Sequence, residues 1–222
     1  MNSFKPMRTS NRRQFIAGLP AIGLLAAHTA DSQPLQYIVF GSCLDPRYFR
    51  SPMNKVAKDK AMLGGTSVPT DDATTTILGE AQWRWLEKVL REPAELRIIV
   101  SSIQFAPEAH GGECWANFPH EQQRMLSLLK GRKALVLSGD RHWSEFSRDG
   151  VFDFTSSSMT QKHPCGTPTR NKHRVVAKTY HLPNVGHLRL DWASETITAK
   201  VIGEDGGVKI ESSVPFGELN IA

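Results

Sequence analysis

The sequence predicts an α/β (α+β) protein whose core is a layered sheet, and three stretches carry that expectation. The run Ala134-Leu135-Val136-Leu137-Ser138 is short, continuously apolar and closed by Gly139, the pattern of a central strand buried on both faces. Residues 80–90 place Trp83, Leu86 and Leu90 on one helical face, with Ile77 and Val89 nearby. Toward the carboxyl end, strand-like stretches at 186–191 and 196–202 flank Ala193-Ser194-Glu195, a connection of hairpin length. At 222 residues the chain has room for one sizeable domain and not comfortably for two. Its hydrophobic fraction of 40% and charged fraction of 22% are those of an ordinary globular protein.

The remaining elements follow in order. Residues 35–40 (Leu-Gln-Tyr-Ile-Val-Phe) are rich in β-branched and aromatic side chains and stop at Gly41, so they read as a strand. Residues 47–76 are polar and interrupted by Pro52, Gly64, Gly65 and Pro69, which predicts a long loop. A loop of that length inside a compact domain is usually functional. Residues 96–103 form a second strongly apolar strand. Asn117 is placed to cap a helix whose first turn holds Pro119 and whose buried stripe is Met125, Leu126 and Leu129. Shorter strands are expected at 151–155 and 208–212. No internal repeat or low-complexity segment is present.

The amino terminus explains most of the charge. Lys5, Arg8, Arg12 and Arg13 precede the first acid, Asp31. Removing residues 1–31 takes away four basic residues and one acidic one, which lowers the net charge from +5 to +2. The pI of 9.2 therefore gives no case for a nucleic-acid partner. Arg12-Arg13 is followed by Phe15 and then by a weak apolar stretch, residues 16–27, diluted by Gly18, Pro20 and Gly23. About a dozen apolar residues cannot cross a hydrocarbon core of roughly 30 Å as a helix. Residues 1–31 are thus expected to be a removable leader, leaving 32–222 as the mature domain without a membrane anchor. The paired arginines resemble a twin-arginine translocation signal, which implies a periplasmic or secreted bacterial protein; a Sec-type leader or a plain basic tail is the alternative. The three cysteines, Cys43, Cys114 and Cys165, leave at least one thiol unpaired within the chain. For Cys114 and Cys165 a buried, inert side chain is the default expectation.

The sharpest chemical feature is Ser138-Gly139-Asp140-Arg141-His142-Trp143. A buried strand ends at a glycine and delivers Asp140 and His142 into the following loop, where α/β proteins commonly build their sites. A carboxylate with an imidazole suits iron, manganese or zinc, and Gly139 lets the backbone turn beneath them. Arg141 is placed to meet a phosphoryl oxygen, or else points away. Two other strand ends offer polar side chains. One is Ser101-Ser102-Ile103-Gln104, leading to His110, Glu113, Cys114, Trp115 and Asn117; the other is Phe40-Gly41-Ser42-Cys43. Together they argue for one shared cleft. Asp45, Arg47 and Arg50 either orient a ligand or form an Arg–Asp pair holding a loop, the second being favoured because long charged side chains enter interiors mainly when paired. His163, His173, His181 and His187 read as scattered.

Several segments carry a family resemblance as an ordered set. They are Ile77-Leu78-Gly79-Glu80-Ala81-Gln82-Trp83-Arg84-Trp85-Leu86, Ser101-Ser102-Ile103-Gln104, Glu113-Cys114-Trp115-Ala116-Asn117-Phe118-Pro119, Ser138-Gly139-Asp140-Arg141-His142 and Thr155-Ser156-Ser157-Ser158. The set resembles the alkaline phosphatase D (PhoD-like) family of metallophosphatases, over most of residues 35–202. The resemblance implies a calcineurin-like metallophosphoesterase fold, a β-sandwich flanked by helices. It also implies hydrolysis of phosphate mono- or diesters by a metal-activated water, with iron and calcium as cofactors. On it, Cys43 matches a candidate iron ligand and Asp140 and His142 match the last metal-site segment. Asp140 and His142 become the catalytic pair, and Arg141 and Arg47 the substrate-binding cations.

One departure stands out. Gly41-Ser42-Cys43 runs directly into Leu44-Asp45-Pro46-Arg47-Tyr48-Phe49-Arg50, whereas the family separates the two by a long stretch with Leu-Gly-Asp-Asn and Asp-Asp-His-Asp motifs. Neither motif occurs here, and Asp71-Asp72 is followed by Ala73. A segment is thus missing between 43 and 44, and the predicted sandwich is incomplete. The loss predicts weak metal binding and an exposed sheet edge. Three readings stay open: an active phosphatase, a catalytically inactive member that folds partly or self-associates, and a longer native chain.

Overall fold

The computed structural model describes residues 15–16, 22–27, 37–40, 49–62, 65–163 and 170–222. Among the described residues, ten strands and two α-helices are arranged as two sheets with the helices on one side. In chain order they are β1 (Phe15–Ile16), β2 (Ile22–Ala27), β3 (Tyr37–Phe40), α1 (Gly79–Leu90), β4 (Leu96–Ser101), α2 (Pro119–Leu129), β5 (Ala134–Ser138), β6 (Ser144–Asp149), β7 (Val151–Ser156), β8 (Asn184–Asp191), β9 (Thr196–Gly203) and β10 (Val208–Pro215). The first sheet runs β1-β2-β4-β5-β7-β6 and the second β10-β9-β8-β3. Strands β4, β5 and β7 are parallel neighbours, so their carboxyl ends emerge along one rim. All five residues of β5 are buried, as its unbroken apolar run predicts.

Alternation along the strands assigns the two faces of the first sheet. Leu96, Ile98, Leu135, Leu137, Phe146, Phe152 and Phe154 pack against Leu188, Leu190, Ile197, Ala199, Val201, Ile210 and Val214 of the second sheet. The opposite residues, Ile99, Ala134, Val136 and Val151, meet Trp83, Leu86 and Leu90 of α1 and Met125 and Leu129 of α2. The mixed α/β expectation holds, with two sheets in face-to-face contact. The antiparallel hairpin β8–β9 turns at 192–195, closing with Asp191 opposite Thr196.

Each helix end has an identifiable anchor. The buried Glu121 carboxylate on α2 accepts hydrogen bonds from Trp83 Nε1 (2.8 Å), Thr76 Oγ1 (2.8 Å), the Ile77 amide (2.8 Å) and the Leu78 amide (3.4 Å). It thereby ties the backbone entering α1 to its neighbour. At the other end of α1, Arg97 of β4 donates to the carbonyls of Leu90 (3.4 Å), Glu92 (2.9 Å) and Ala94 (3.1 Å), which satisfies carbonyls that a helix leaves open.

Three features differ from the sequence expectation. Asn117 does not cap α2, which starts at Pro119 after Phe118. Its side chain turns back to accept from the Cys114 amide (2.9 Å) and thiol (3.4 Å), closing a short 3-10 turn instead. Strand β6 is an addition: Ser144, Glu145 and Ser147 face a polar interior, so the strand lacks the apolar alternation that would announce it. The loop before α1, read from sequence as residues 47–76, is pinned at Ser67, which pairs with both Lys55 and Gly111. At that crossing Gly65 and Gly111 have φ of +131° and +90°, and a Cβ on either would strike the other's backbone.

The stretch expected to be the apolar part of a leader overlaps β2, which pairs antiparallel with β4 over all six residues, Ile22 opposite Ser101 through Ala27 opposite Leu96. No helix among the described residues is long and apolar enough to cross a membrane.

Candidate functional site at the strand ends

The rim formed by the carboxyl ends of β4, β5 and β7 carries most of the charged side chains that the sequence singles out. Strand β5 stops at Ser138, and the chain turns through Gly139 with Asp140 in the left-handed region (φ 71°). Aspartate tolerates this conformation better than most residues. The sharp turn expected at Gly139 is therefore made by Asp140 itself. Asp140, Arg141 and His142 are each half-buried. The Arg141 guanidinium lies 4.6 Å from the Trp143 ring centroid, and it makes no side-chain hydrogen bond or ion pair with any described residue. Burial lowers its pKa, partly offset by the charge of Asp140.

The loop after β4 brings His110 against this guanidinium. His110 is 5% exposed, and its Nδ1 accepts the Gly112 amide proton (3.1 Å). Burial, then the Arg141 charge, pushes its pKa down to about 4, so the ring is neutral at ordinary pH with its proton on Nε2. That Nε2 is buried without a partner. A Cβ on Gly112 would collide with Arg141 Nη1 and lie 2.9 Å from His110 Cε1; only glycine leaves the two groups this close. Cys114, also buried here, is a protonated thiol, its pKa pushed up to about 12 by burial.

Beneath these groups lies a buried polar floor. Gln104 Nε2 donates to Thr155 Oγ1 (3.0 Å), which bonds Ser138 Oγ (2.9 Å), which donates to Asp153 Oδ1 (2.5 Å). Asp153 Oδ2 accepts the Phe105 and Ala106 amides at 2.7 and 3.0 Å, holding the loop that carries His110. Full burial raises the Asp153 pKa to about 6 in spite of these donors. Glu145 accepts from Gln104 Nε2 (2.8 Å) and Asn171 Nδ2 (3.3 Å), and Arg174 pairs with it at 2.7 Å. Buried polar networks of this kind fix geometry more than they add net stability, and in this one Gln104 Oε1 has no partner among the described residues.

The other residues singled out in the sequence have mixed fates. Cys43, Asp45 and Arg47 lie outside the described residues. Arg50 pairs with Glu113 at 2.6 Å, so among the described residues the loop-holding partner is this glutamate. His163 and His181, which read as scattered, sit together: their ring centroids are 5.6 Å apart and both pack on the buried Trp143. Among the described residues no group of three or more His, Cys, Asp and Glu side chains could hold a metal ion. Asp140 and His142 supply two donors, and Cys43, the third that the resemblance implies, lies outside the described residues, so the described donors alone do not make up an iron or calcium site. A cavity of about 900 Å³ lies at the opposite rim between Arg97, Arg132, Lys133, Trp192 and Phe216, away from these groups.

The family model for PhoD-like phosphatases matches residues 39–198, more than half of the 222-residue chain. The chain belongs to this family. The match takes in every element from the end of β3 to the start of β9, and hence the whole polar rim. A search of the curated proteins finds no match. Among solved structures, the chain is similar to one described as GAP50, the anchor in the inner membrane complex of Plasmodium, with a TM-score of 0.47 and 18% identity. That alignment covers 61% of this chain and 42% of the Plasmodium protein, so the chain spans less than half the length of that relative. In this PhoD-like chain the strand-end trio 140–142 and the loop bearing His110 were singled out in the sequence. Glu145 and Asp153 were not, because their partners are distant along the chain.

Proposed function

We propose that the rim of this PhoD-like chain binds phosphate esters, with Arg141 as the phosphoryl-binding cation. The observation that carries the reading is a half-buried guanidinium with no carboxylate bonded to it among the described residues, in a family of phosphatases. Buried arginines are normally paired, and a planar guanidinium suits a phosphoryl group. The family implies a hydrolase with a calcineurin-like fold that uses metal-bound water. For this chain Asp140 and His142 are the residues proposed to take part, with Cys43 and Arg47 as proposed contributors from the segment before α1. Export by the twin-arginine route, to the periplasm or outside, is proposed on the paired arginines at 12–13.

With two such donors among the described residues, a second reading is a family member that binds phosphate esters without turning them over. Hydrolysis of bis-p-nitrophenyl phosphate and p-nitrophenyl phosphate in alkaline buffer with iron and calcium separates the two. Turnover that disappears in Asp140→Asn, with the fold intact by circular dichroism, supports the hydrolase. Turnover unchanged in Asp140→Asn removes that residue from the chemistry. No turnover from the folded wild-type chain leaves the binding reading alone.

A further inference from the structure

We propose that His110 Nε2–H and the Arg141 guanidinium together form a metal-independent oxyanion site, built over Gly112, that takes a phosphoryl group. The proposal rests on the reading of this rim as a phosphate-ester site, but not on turnover there. Three observations on different residues meet at one point.

The first is the orphaned donor. His110 is nine-tenths buried, and the Gly112 amide occupies its Nδ1, which leaves the ring proton on Nε2 with nothing to accept it among the described residues. A buried donor without a partner costs about 1–3 kcal/mol, and such groups persist in native proteins mainly where a ligand, ion or water completes them. The second is the adjacent cation. Arg141 holds its guanidinium against the Trp143 face with Nε buried and unbonded; Asp140 and Glu145 lend it charge compensation, but neither accepts a hydrogen bond from it. The third is the absence of a side chain at position 112. Both groups crowd the position a Cβ would take there, so the backbone itself permits their approach.

A neutral N–H and a guanidinium side by side make a donor pair with one positive charge, which matches an oxyanion and rejects a cation. Neither group needs a metal to be placed. The tetrahedral oxygens of a phosphate ester can accept from both at once, and a charge-assisted bond to arginine is roughly twice as strong as a neutral one. Removing either donor should therefore weaken binding on its own, and a larger residue at 112 should do so by displacing both.

Titration of the full chain with inorganic phosphate, after treatment with a chelator, tests this by phosphorus NMR line broadening and calorimetry. Wild type is expected to bind phosphate without metal. His110→Leu and Arg141→Met should each weaken binding about tenfold or more, as should Gly112→Val. His110→Gln, which keeps an N–H near the same place, should retain most of the affinity, and this variant separates a donor role from a packing role if His110→Leu folds poorly. No phosphate binding by the wild-type chain overturns the site. Binding lost in Arg141→Met but unchanged in a folded His110→Leu overturns the role of His110 while the phosphate-ester reading stands. Phosphate binding with no ester turnover leaves the site intact and ends the hydrolase reading instead.

Discussion

Asp153 and His110 are two buried titratable residues whose protons pull stability in opposite directions. The Asp153 pKa is raised by burial to about 6. Between the ordinary carboxylate value and 6 the folded chain keeps a proton that the unfolded chain has lost, so this group makes stability fall as pH rises through the window. The His110 pKa is lowered by burial to about 4. Between 4 and the ordinary imidazole value the unfolded chain holds a proton that the folded one does not, so this group makes stability rise with pH. Each slope is at most about 1.4 kcal/mol per pH unit, and across about pH 4–6 they largely cancel. Asp153→Asn should uncover the His110 slope, giving a urea midpoint that climbs from pH 4 to 6. His110→Leu should uncover the opposite one. The check is a set of urea curves at half-unit pH steps; variant profiles parallel to wild type would show that neither residue titrates as described.

At the scale of elements, the join between α1 and α2 depends on one carboxylate. Glu121 satisfies an indole N–H, a hydroxyl and two amides around the entry to α1. Glu121→Leu would strand these donors in the interior, at about 1–3 kcal/mol for each one left unsatisfied. The expected loss is at least about 3 kcal/mol in total, read as a lower urea midpoint with the slope unchanged. Glu121→Gln keeps the shape and an acceptor oxygen and should lose much less. A Glu121→Leu midpoint equal to wild type would mean that apolar packing alone holds the helix pair. The apolar parts of these elements were legible in the sequence: β5 by its unbroken apolar run, α1 by the Trp83–Leu86–Leu90 stripe, the β8–β9 hairpin by its short connection. Strand β6 was not, because its buried residues are Ser144, Glu145 and Ser147 on both faces around a single apolar Phe146. The site divided the same way. Asp140 to His142 stand together in the chain and follow an obvious strand. Glu145 meets Arg174 and Asp153 meets the amides of Phe105 and Ala106 only after folding, and a buried carboxylate looks like a surface one until its partners are known. Asn117 shows the converse error: its position before Pro119 suited a helix cap, but the cysteine three residues earlier offered nearer donors.

For the molecule as a whole, the open question of assembly turns on the edge of β4. In the full chain that edge is covered by β2, bonded in register from Ile22 to Ala27, yet these same residues read in sequence as the apolar part of a removable leader. Removal of residues 1–31 should therefore leave a row of unpaired amides and carbonyls along Leu96–Ser101, beside a Val100 that is already 42% exposed. Such an edge is a template for another strand. The chain starting at residue 32 is expected to pair edge to edge with a second copy and to shift from monomer to dimer with rising concentration, while the full chain stays monomeric. Light scattering behind size exclusion at two concentrations reads this directly. Val100→Lys in the shortened chain should restore the monomer by placing a charge on the edge. A shortened chain that remains monomeric with an unchanged urea midpoint would mean that β2 contributes nothing to closing the sheet, and that residues 1–31 can be removed without consequence for the fold.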